Sequence, residues 1–456
     1  MSEVSTAAAE LRAAGEAWEA AGVEHRIEVL ARWAETVRER RADLVGALAR
    51  DTGRTGLSEM EVDWIRTSVA RSSQWAQEIL AAKAERPSSD PGVTLTSASL
   101  PMGLVGVISP WNFPLQLALI DAVPALLMGC PVLVKPTEQC PEFVVPLRES
   151  VEAVPELAAV LRFVEGGPEV GAELVRAVDV VCFTGSVATG RKVAAAAADA
   201  FVPAFLELGG KDAAVVLPGA DLDVAVEGVL WGGTANTGQS CMSIERVYVV
   251  RGQEDEFVDR LASRAATIGL VGVEEGGQVG PFIDPRQADV VSRQLDAAVA
   301  GGAKVLSGGE VEEHEVRGAD GDSQGVRRFM RPTVVTDVDH TMDLMTEETF
   351  GPVLAVMVVE DAEEAVRLAN DTVYGLSGAV FGPPAEARAV AHRLRAGGIS
   401  VNDVCLTGMV PEGEKQAFGA SGMGPSRMGR ASLTRFRRQR VVLTRLEPMV
   451  QPWWYR

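Results

Sequence analysis

Apolar residues recur at helical spacing through the first eighty positions, where Ile27, Leu30, Trp33, Ala34 and Val37 share one face. Pro87-Ser88-Ser89-Asp90-Pro91-Gly92 breaks that pattern. Beyond it, short apolar runs alternate with amphipathic stretches: Leu104–Ser109, Pro131–Lys135, Leu161–Glu165 and Val178–Phe183 read as strands with helices between them. A second series follows Gly210, with strands at Ala213–Leu217, Arg246–Val250, Val353–Val359, Gly378–Phe381 and Gly398–Asn402. Its helices fall at Glu254–Ile268, Pro285–Ala300 and Glu363–Asn370. Alternation at this spacing predicts parallel sheets with helices on both faces, in two α/β units joined near Leu208-Gly209-Gly210. Gly309–Gly325, acidic and Gly-rich, reads as an exposed loop. Arg440–Leu446 reads as one more strand, and the Trp453-Trp454 pair after it is expected at a subunit interface.

Length and charge narrow the classes. A chain of 456 residues, 47% apolar, has room for two or three domains and is not disordered. Its net charge of −20 disfavours nucleic acid or an anionic membrane as main partner. The uncharged stretch Pro91–Ile120 contains four prolines and Asn112, which a lipid-exposed helix would not accommodate, so no membrane span is expected. The start, Met1-Ser2-Glu3-Val4, has no secretory pattern. Cys130, Cys140, Cys182, Cys241 and Cys405 are scattered and form no Cys-x-x-Cys pair, which argues against disulfides and a zinc or other metal site. Reduced thiols in a cytoplasmic protein are the expectation.

The usual nucleotide fingerprints are absent. Gly422-Met423-Gly424 has Arg427 where a third glycine would stand, and Phe205 occupies the first glycine position of a phosphate loop ending at Gly210-Lys211. Polar segments instead follow the strands, where open α/β sheets bind ligands. They are Pro110-Trp111-Asn112-Phe113-Pro114, Lys135-Pro136-Thr137-Glu138 and Thr184-Gly185-Ser186. Ser186 at a helix start could receive a phosphate or simply cap the helix. Lys135 and Glu138 could hold a ribose. Glu207 lies between apolar neighbours before Gly209-Gly210, where desolvation raises a carboxyl toward a general base's range. Cys241 ends the Gly-bearing run Asn236-Thr237-Gly238-Gln239-Ser240-Cys241. Taken singly, Glu207 could be a salt-bridged structural carboxylate and Cys241 a small core residue. His25, His314, His340 and His392 are poorly placed for a Cys–His hydrolase.

Together these residues resemble the NAD(P)-dependent aldehyde dehydrogenase superfamily. The resemblance runs in order through Pro110–Pro114, Lys135–Glu138, Phe183–Ser186, Glu207–Lys211, Gly238–Cys241, Glu347–Pro352 and Asn370–Leu376. It implies a doubly wound, Rossmann-like cofactor domain from residues 1–88 and 102–208, and an α/β catalytic domain from 209–432. It also implies a small β oligomerisation element from 89–101 and 433–456, serving a homodimer or homotetramer. The implied chemistry is oxidation of an aldehyde to an acid with NAD, NADP being possible. Cys241 would be the nucleophile, Asn112 and the Cys241 N–H the oxyanion donors, and Glu207 the activator of water. Lys135 and Glu138 would hold the adenine ribose, Ser186 with Gly185 the pyrophosphate, and Glu348 the nicotinamide ribose. Phe350, Trp111 and Gly209 would complete that site.

A carboxylate at Glu138 favours NAD, because it accepts from the ribose 2′-hydroxyl and repels a 2′-phosphate. The stretch Pro411–Gly422 departs from the family's Pro-[Phe/Tyr]-Gly-Gly-x-Lys-x-Ser-Gly pattern at the substrate mouth. Phe113, Leu117, Met242 and Phe418 are expected as apolar lining for a medium-sized hydrophobic or aromatic aldehyde. Two alternatives stand beside this reading. One is a relative passing its acyl group to coenzyme A, which has no need of Glu207. The other is a catalytically silent structural or binding relative, which could dispense with Cys241 or Glu207.

Overall fold

A computed structural model of the chain describes residues 2–81, 84–317, 323–447 and 450; Trp453-Trp454 lies outside them. Four helices come first: α1 Glu3–Ala20, α2 Gly22–Glu39, α3 Arg41–Thr52 and α4 Thr55–Leu80. Leu30, Trp33 and Val37 of α2 and Val62, Ile65 and Val69 of α4 are buried in one core with the first sheet. Among the described residues no helix is long and apolar enough to cross a membrane.

The first sheet contains β1 Val105–Ile108, β2 Val132–Lys135, β3 Leu161–Phe163, β4 Val180–Thr184 and β5 Ala204–Glu207. They are parallel in the order β5-β4-β1-β2-β3, and Gly422–Met423 pairs antiparallel outside β5. The chain winds outward from β1 to β3 and then returns to β4 on the other side of β1. That reversal opens a crevice at the carboxyl ends of β1 and β4.

The second sheet is built from β6 Asp212–Val216, β7 Ile244–Val250, β8 Lys304–Ser307, β9 Thr333–Thr336, β10 Val353–Val359, β11 Ser377–Phe381 and β12 Gly398–Val401. Their order is β8-β9-β10-β7-β6-β11-β12, all parallel except β8. The central strands read as near-continuous Val and Ala because both faces are covered, each by its own apolar cluster. β5 ends at Glu207 and β6 begins at Asp212, so only Leu208–Lys211 separate the two sheets in sequence.

The expected Gly309–Gly325 loop is corrected at 311–317 and 323–325, residues 318–322 lying outside the described ones. Val311–Arg317 and Ser323–Met330 form an antiparallel pair. Val316, Phe329 and Met330 are buried, and His314 meets the Phe329 ring edge-on. The charges that suggested a loop pair across the ribbon, Glu313 opposite Arg328, while Glu312 holds Arg331 at 2.8 Å. A third, small sheet joins Val93–Pro101 to Arg437–Arg445 along their whole length. Val441, Val442 and Leu443 on that outer strand are exposed.

Candidate active site

The ends of both sheets converge on one cleft of about 240 Å³. Pro110, Trp111 and Asn112 enter it after β1, Thr184, Gly185 and Ser186 at the end of β4, and Glu207, Leu208 and Gly209 at the end of β5. Cys241 comes from just before β7, Glu348 and Phe350 from just before β10, and Gln287 and Val290 from the helix Pro285–Ala300. The first sheet thus offers its carboxyl ends and the second its amino ends. Lys135 and Glu138 pair at 2.8 Å beyond β2, with Lys135 buried and Glu138 half-exposed. The Lys135 ammonium holds Glu138 below the ordinary carboxylate range, against the opposing effect of burial.

Ser186 caps the 14-residue helix Val187–Ala200, its Oγ accepting from the Thr189 N–H at 3.3 Å. Trp111 and Phe350 meet edge-to-face, centroids 5.5 Å apart. Glu348 accepts from the Gly210 N–H at 3.1 Å and lies over Gly209, where any Cβ would fall 2.3 Å from its carboxylate. Burial and the nearby Glu245 push Glu348 up to about 8.

Cys241 is half-buried, and desolvation pushes its thiol up to about 11 against the pull of Lys415. Glu207 is half-buried, less enclosed than its apolar neighbours suggest. The Asn112 side-chain amide donates to Gln239 O at 3.1 Å, two residues before the thiol. His340 bonds Tyr248 and Asp371, and His314 bonds Glu312.

A scaffold that sequence reasoning missed holds these groups. Fully buried Arg54 donates to the Asn112 carbonyl and to Asn236 Oδ1, and pairs with buried Glu61 at 3.3 Å. Asn236 in turn donates to Asn112 O at 3.0 Å and Gln239 O at 2.9 Å. Glu61 accepts the Leu115 and Gln116 N–H groups, fixing the start of the helix after Pro114. Glu245 does the same for the other wall, taking Lys211 Nζ at 2.6 Å, Thr349 N at 2.9 Å and Phe350 N at 2.7 Å. Asn236 and Thr237 both sit in the left-handed region, φ 55° and 60°, strain that surrounding contacts must hold.

The expected substrate lining is placed unevenly. Phe113, Leu117, Met242 and Phe418 are not walls of this cleft. Phe113 lies under the Arg54 guanidinium, 5.0 Å from ring centroid to Cζ. Phe418 is exposed and anchored by its N–H to Gly375 O at 2.9 Å. Met242 directly follows the nucleophile candidate.

Residues 1–442 match the aldehyde dehydrogenase family. The chain belongs to that family. It is 36% identical over 411 residues to the chloroplastic betaine aldehyde dehydrogenase of Beta vulgaris, covering 88% of this chain and 80% of that one. It is 35% identical over 441 residues, 94% and 81% of the two chains, to a Mycobacterium ulcerans (strain Agy99) protein provisionally named a succinate-semialdehyde dehydrogenase using NADP(+). Among solved structures, PutA of Anabaena variabilis superposes with a TM-score of 0.94 at 48% identity, over 99% and 95% of the chains. Betaine aldehyde dehydrogenase of Staphylococcus aureus, solved with NAD+, gives 0.90 at 29% identity over 100% and 90%. The fold is that of an aldehyde dehydrogenase, and the protein is an oxidoreductase acting on aldehydes.

Proposed function

We propose that the protein oxidises an aldehyde to its carboxylic acid with NAD(P)+, using Cys241 as nucleophile, Asn112 as oxyanion donor and Glu207 as base. The observation that carries this reading is the meeting of those three side chains in one cleft at the first sheet's switch point. Its walls fit a dinucleotide. Gly185 and Ser186 present the start of a long helix, whose dipole favours phosphate. The Lys135–Glu138 pair offers a donor and an acceptor for the adenine ribose, and the Trp111–Phe350 corner offers a flat face for a ring. Glu348 is placed for the second ribose once it leaves Gly210.

The bound nicotinamide supplies the hydride acceptor. Cys241 supplies the rest: its thiolate sulfur bonds the carbonyl carbon, the thiol proton having passed to solvent. The oxyanion takes hydrogen bonds from the Asn112 amide, released from Gln239 O, and from the Cys241 N–H. Loss of hydride leaves a thioester on the sulfur. Glu207 takes a proton from water, whose oxygen attacks the thioester and returns the thiolate. The sum is aldehyde, NAD+ and water giving carboxylate, NADH and two protons.

Glu138 favours NAD over NADP. The exposed strand Arg437–Arg445 pairs with a second copy to give a homodimer or homotetramer. Purified protein is expected to form NADH from an aldehyde panel, and Cys241→Ala to form none. Binding of NAD without turnover of any aldehyde would count against the proposal.

A further inference from the structure

Beside Met242, the residue that follows Cys241, a second small constellation gathers. The Lys415 ammonium is 3.6 Å from the Met242 sulfur, and the Thr407 hydroxyl is also 3.6 Å from it. A thioether is a poor acceptor, yet it is the sole side-chain partner that either donor has among the described residues. No carboxylate there comes within ion-pair distance of Lys415. Glu414, its neighbour, turns away to accept the Ala431 N–H at 2.9 Å, and Asp212 is committed to Ser377. Both donors are nonetheless held in place. The Lys415 N–H donates to Ser426 Oγ at 3.0 Å, and Gly398 leaves room for the Lys415 stem and the Thr407 methyl, its absent Cβ falling 3.3 Å and 2.1 Å from them.

Two fixed donors, one of them a half-buried cation, that share only one weak thioether acceptor form an incomplete anion site. It adjoins the residue after Cys241, and its cation, Lys415, belongs to the stretch Pro411–Gly422 where this chain departs from the family pattern. Lys415 is also the cation that most lowers the Cys241 thiol, which independently places its charge near the sulfur.

We infer that Lys415 and Thr407 bind a carboxylate on the substrate, so that the preferred aldehydes are those carrying an acid group at the far end of a short chain. This rests on the aldehyde-oxidising reading above and replaces the hydrophobic or aromatic substrate that the apolar residues suggested. A neutral aldehyde of the same length would leave both donors unsatisfied in a closed complex, and sites built around hydrogen bonds discriminate strongly against analogues that lack the partner.

The test compares succinic semialdehyde with butanal, using NAD+, in wild type, Lys415→Met, Lys415→Arg and Thr407→Val. The wild type is expected to favour the acid aldehyde by about tenfold or more in kcat/KM. Lys415→Met should reduce that ratio about tenfold, mainly through KM, with Lys415→Arg retaining part of it and Thr407→Val showing a smaller fall. Succinate should inhibit wild-type butanal oxidation competitively, a readout independent of how the variants fold. Equal use of the two aldehydes by wild type would overturn the inference while leaving aldehyde oxidation intact. So would an equal loss on both in Lys415→Met, which would make Lys415 a group acting on the thiol. NADH from neither aldehyde would overturn the inference, and failure across the wider aldehyde panel as well would overturn aldehyde oxidation.

Discussion

Gly238 packs so tightly on Gly351 that a Cβ at 238 would sit 2.1 Å from the Gly351 carbonyl oxygen. This contact ties the loop that carries Cys241 to the loop that carries Glu348 and Phe350. Gly238 also has φ +68°, so alanine would meet both a steric wall and an unfavourable backbone. Gly238→Ala is expected to lower stability by roughly 2–4 kcal/mol and to abolish most NADH formation. Thermal unfolding and steady-state rates measure the two effects. Wild-type activity in this variant would show that the two loops move independently.

Glu207 acts after hydride transfer in the proposed sequence. Glu207→Gln should therefore still give about one NADH per site in a rapid first phase, followed by turnover slowed about 10²- to 10⁴-fold. Stopped-flow absorbance separates the phases. Loss of the burst itself would remove Glu207 from the water-activating role.

Burial holds the Cys241 thiol near 11, well above an ordinary cysteine. Below that pH the thiolate fraction rises tenfold per unit. Inactivation by iodoacetamide without cofactor should accordingly climb about tenfold per pH unit from 7 to 9 and show no plateau there. A plateau near pH 8 would mean a thiol no more buried than a free one.

The cofactor preference should turn on one charge. Glu138→Gln removes the repulsion of a 2′-phosphate and is expected to raise the NADP/NAD ratio of kcat/KM about tenfold. An unchanged ratio would move the discriminating contact away from Glu138.

Arg54 and Glu61 form a buried pair that holds the carbonyl of Asn112, the proposed oxyanion donor. Arg54→Met strands the Glu61 carboxylate and should cost roughly 3–5 kcal/mol of stability. In Arg54→Met/Glu61→Met much of that stability should return, because neither charge is left alone. Activity should not return with it, since the Asn112 carbonyl still lacks the Arg54 donor and keeps only Asn236. Full activity in the double variant would reduce the pair to a stability role.

Much of this architecture is written locally. β10 and the helix Pro285–Ala300 fall where their apolar periods place them, because each is buried by its own sequence pattern. The polar segments after β1, β2 and β4 were also legible, since strand ends in an α/β sheet are where chemistry collects. The ribbon of Val311–Arg317 and Ser323–Met330 was not. Its strands keep charges on both faces, and Val316 and Phe329 become core only through packing against the second sheet. Arg54, Glu61 and Glu245 escaped for a similar reason. Each looks like a surface charge in a helix or strand, and its partners lie far along the chain. Lys415 was hidden inside a stretch legible only as a departure from pattern.

The strand that bears Glu207 borrows its outer neighbour from Gly422–Met423, after the whole second sheet in the sequence. A ribosome must therefore finish nearly the entire chain before the first sheet acquires its last edge. Until then β5 presents open hydrogen-bonding groups, a template for mispairing. Contacts this distant in sequence also form slowly, because the intervening chain must be closed first. The base that would complete each turnover is thus among the last parts of the protein to be locked in place, and C-terminally clipped chains should accumulate with one raw margin on the first sheet.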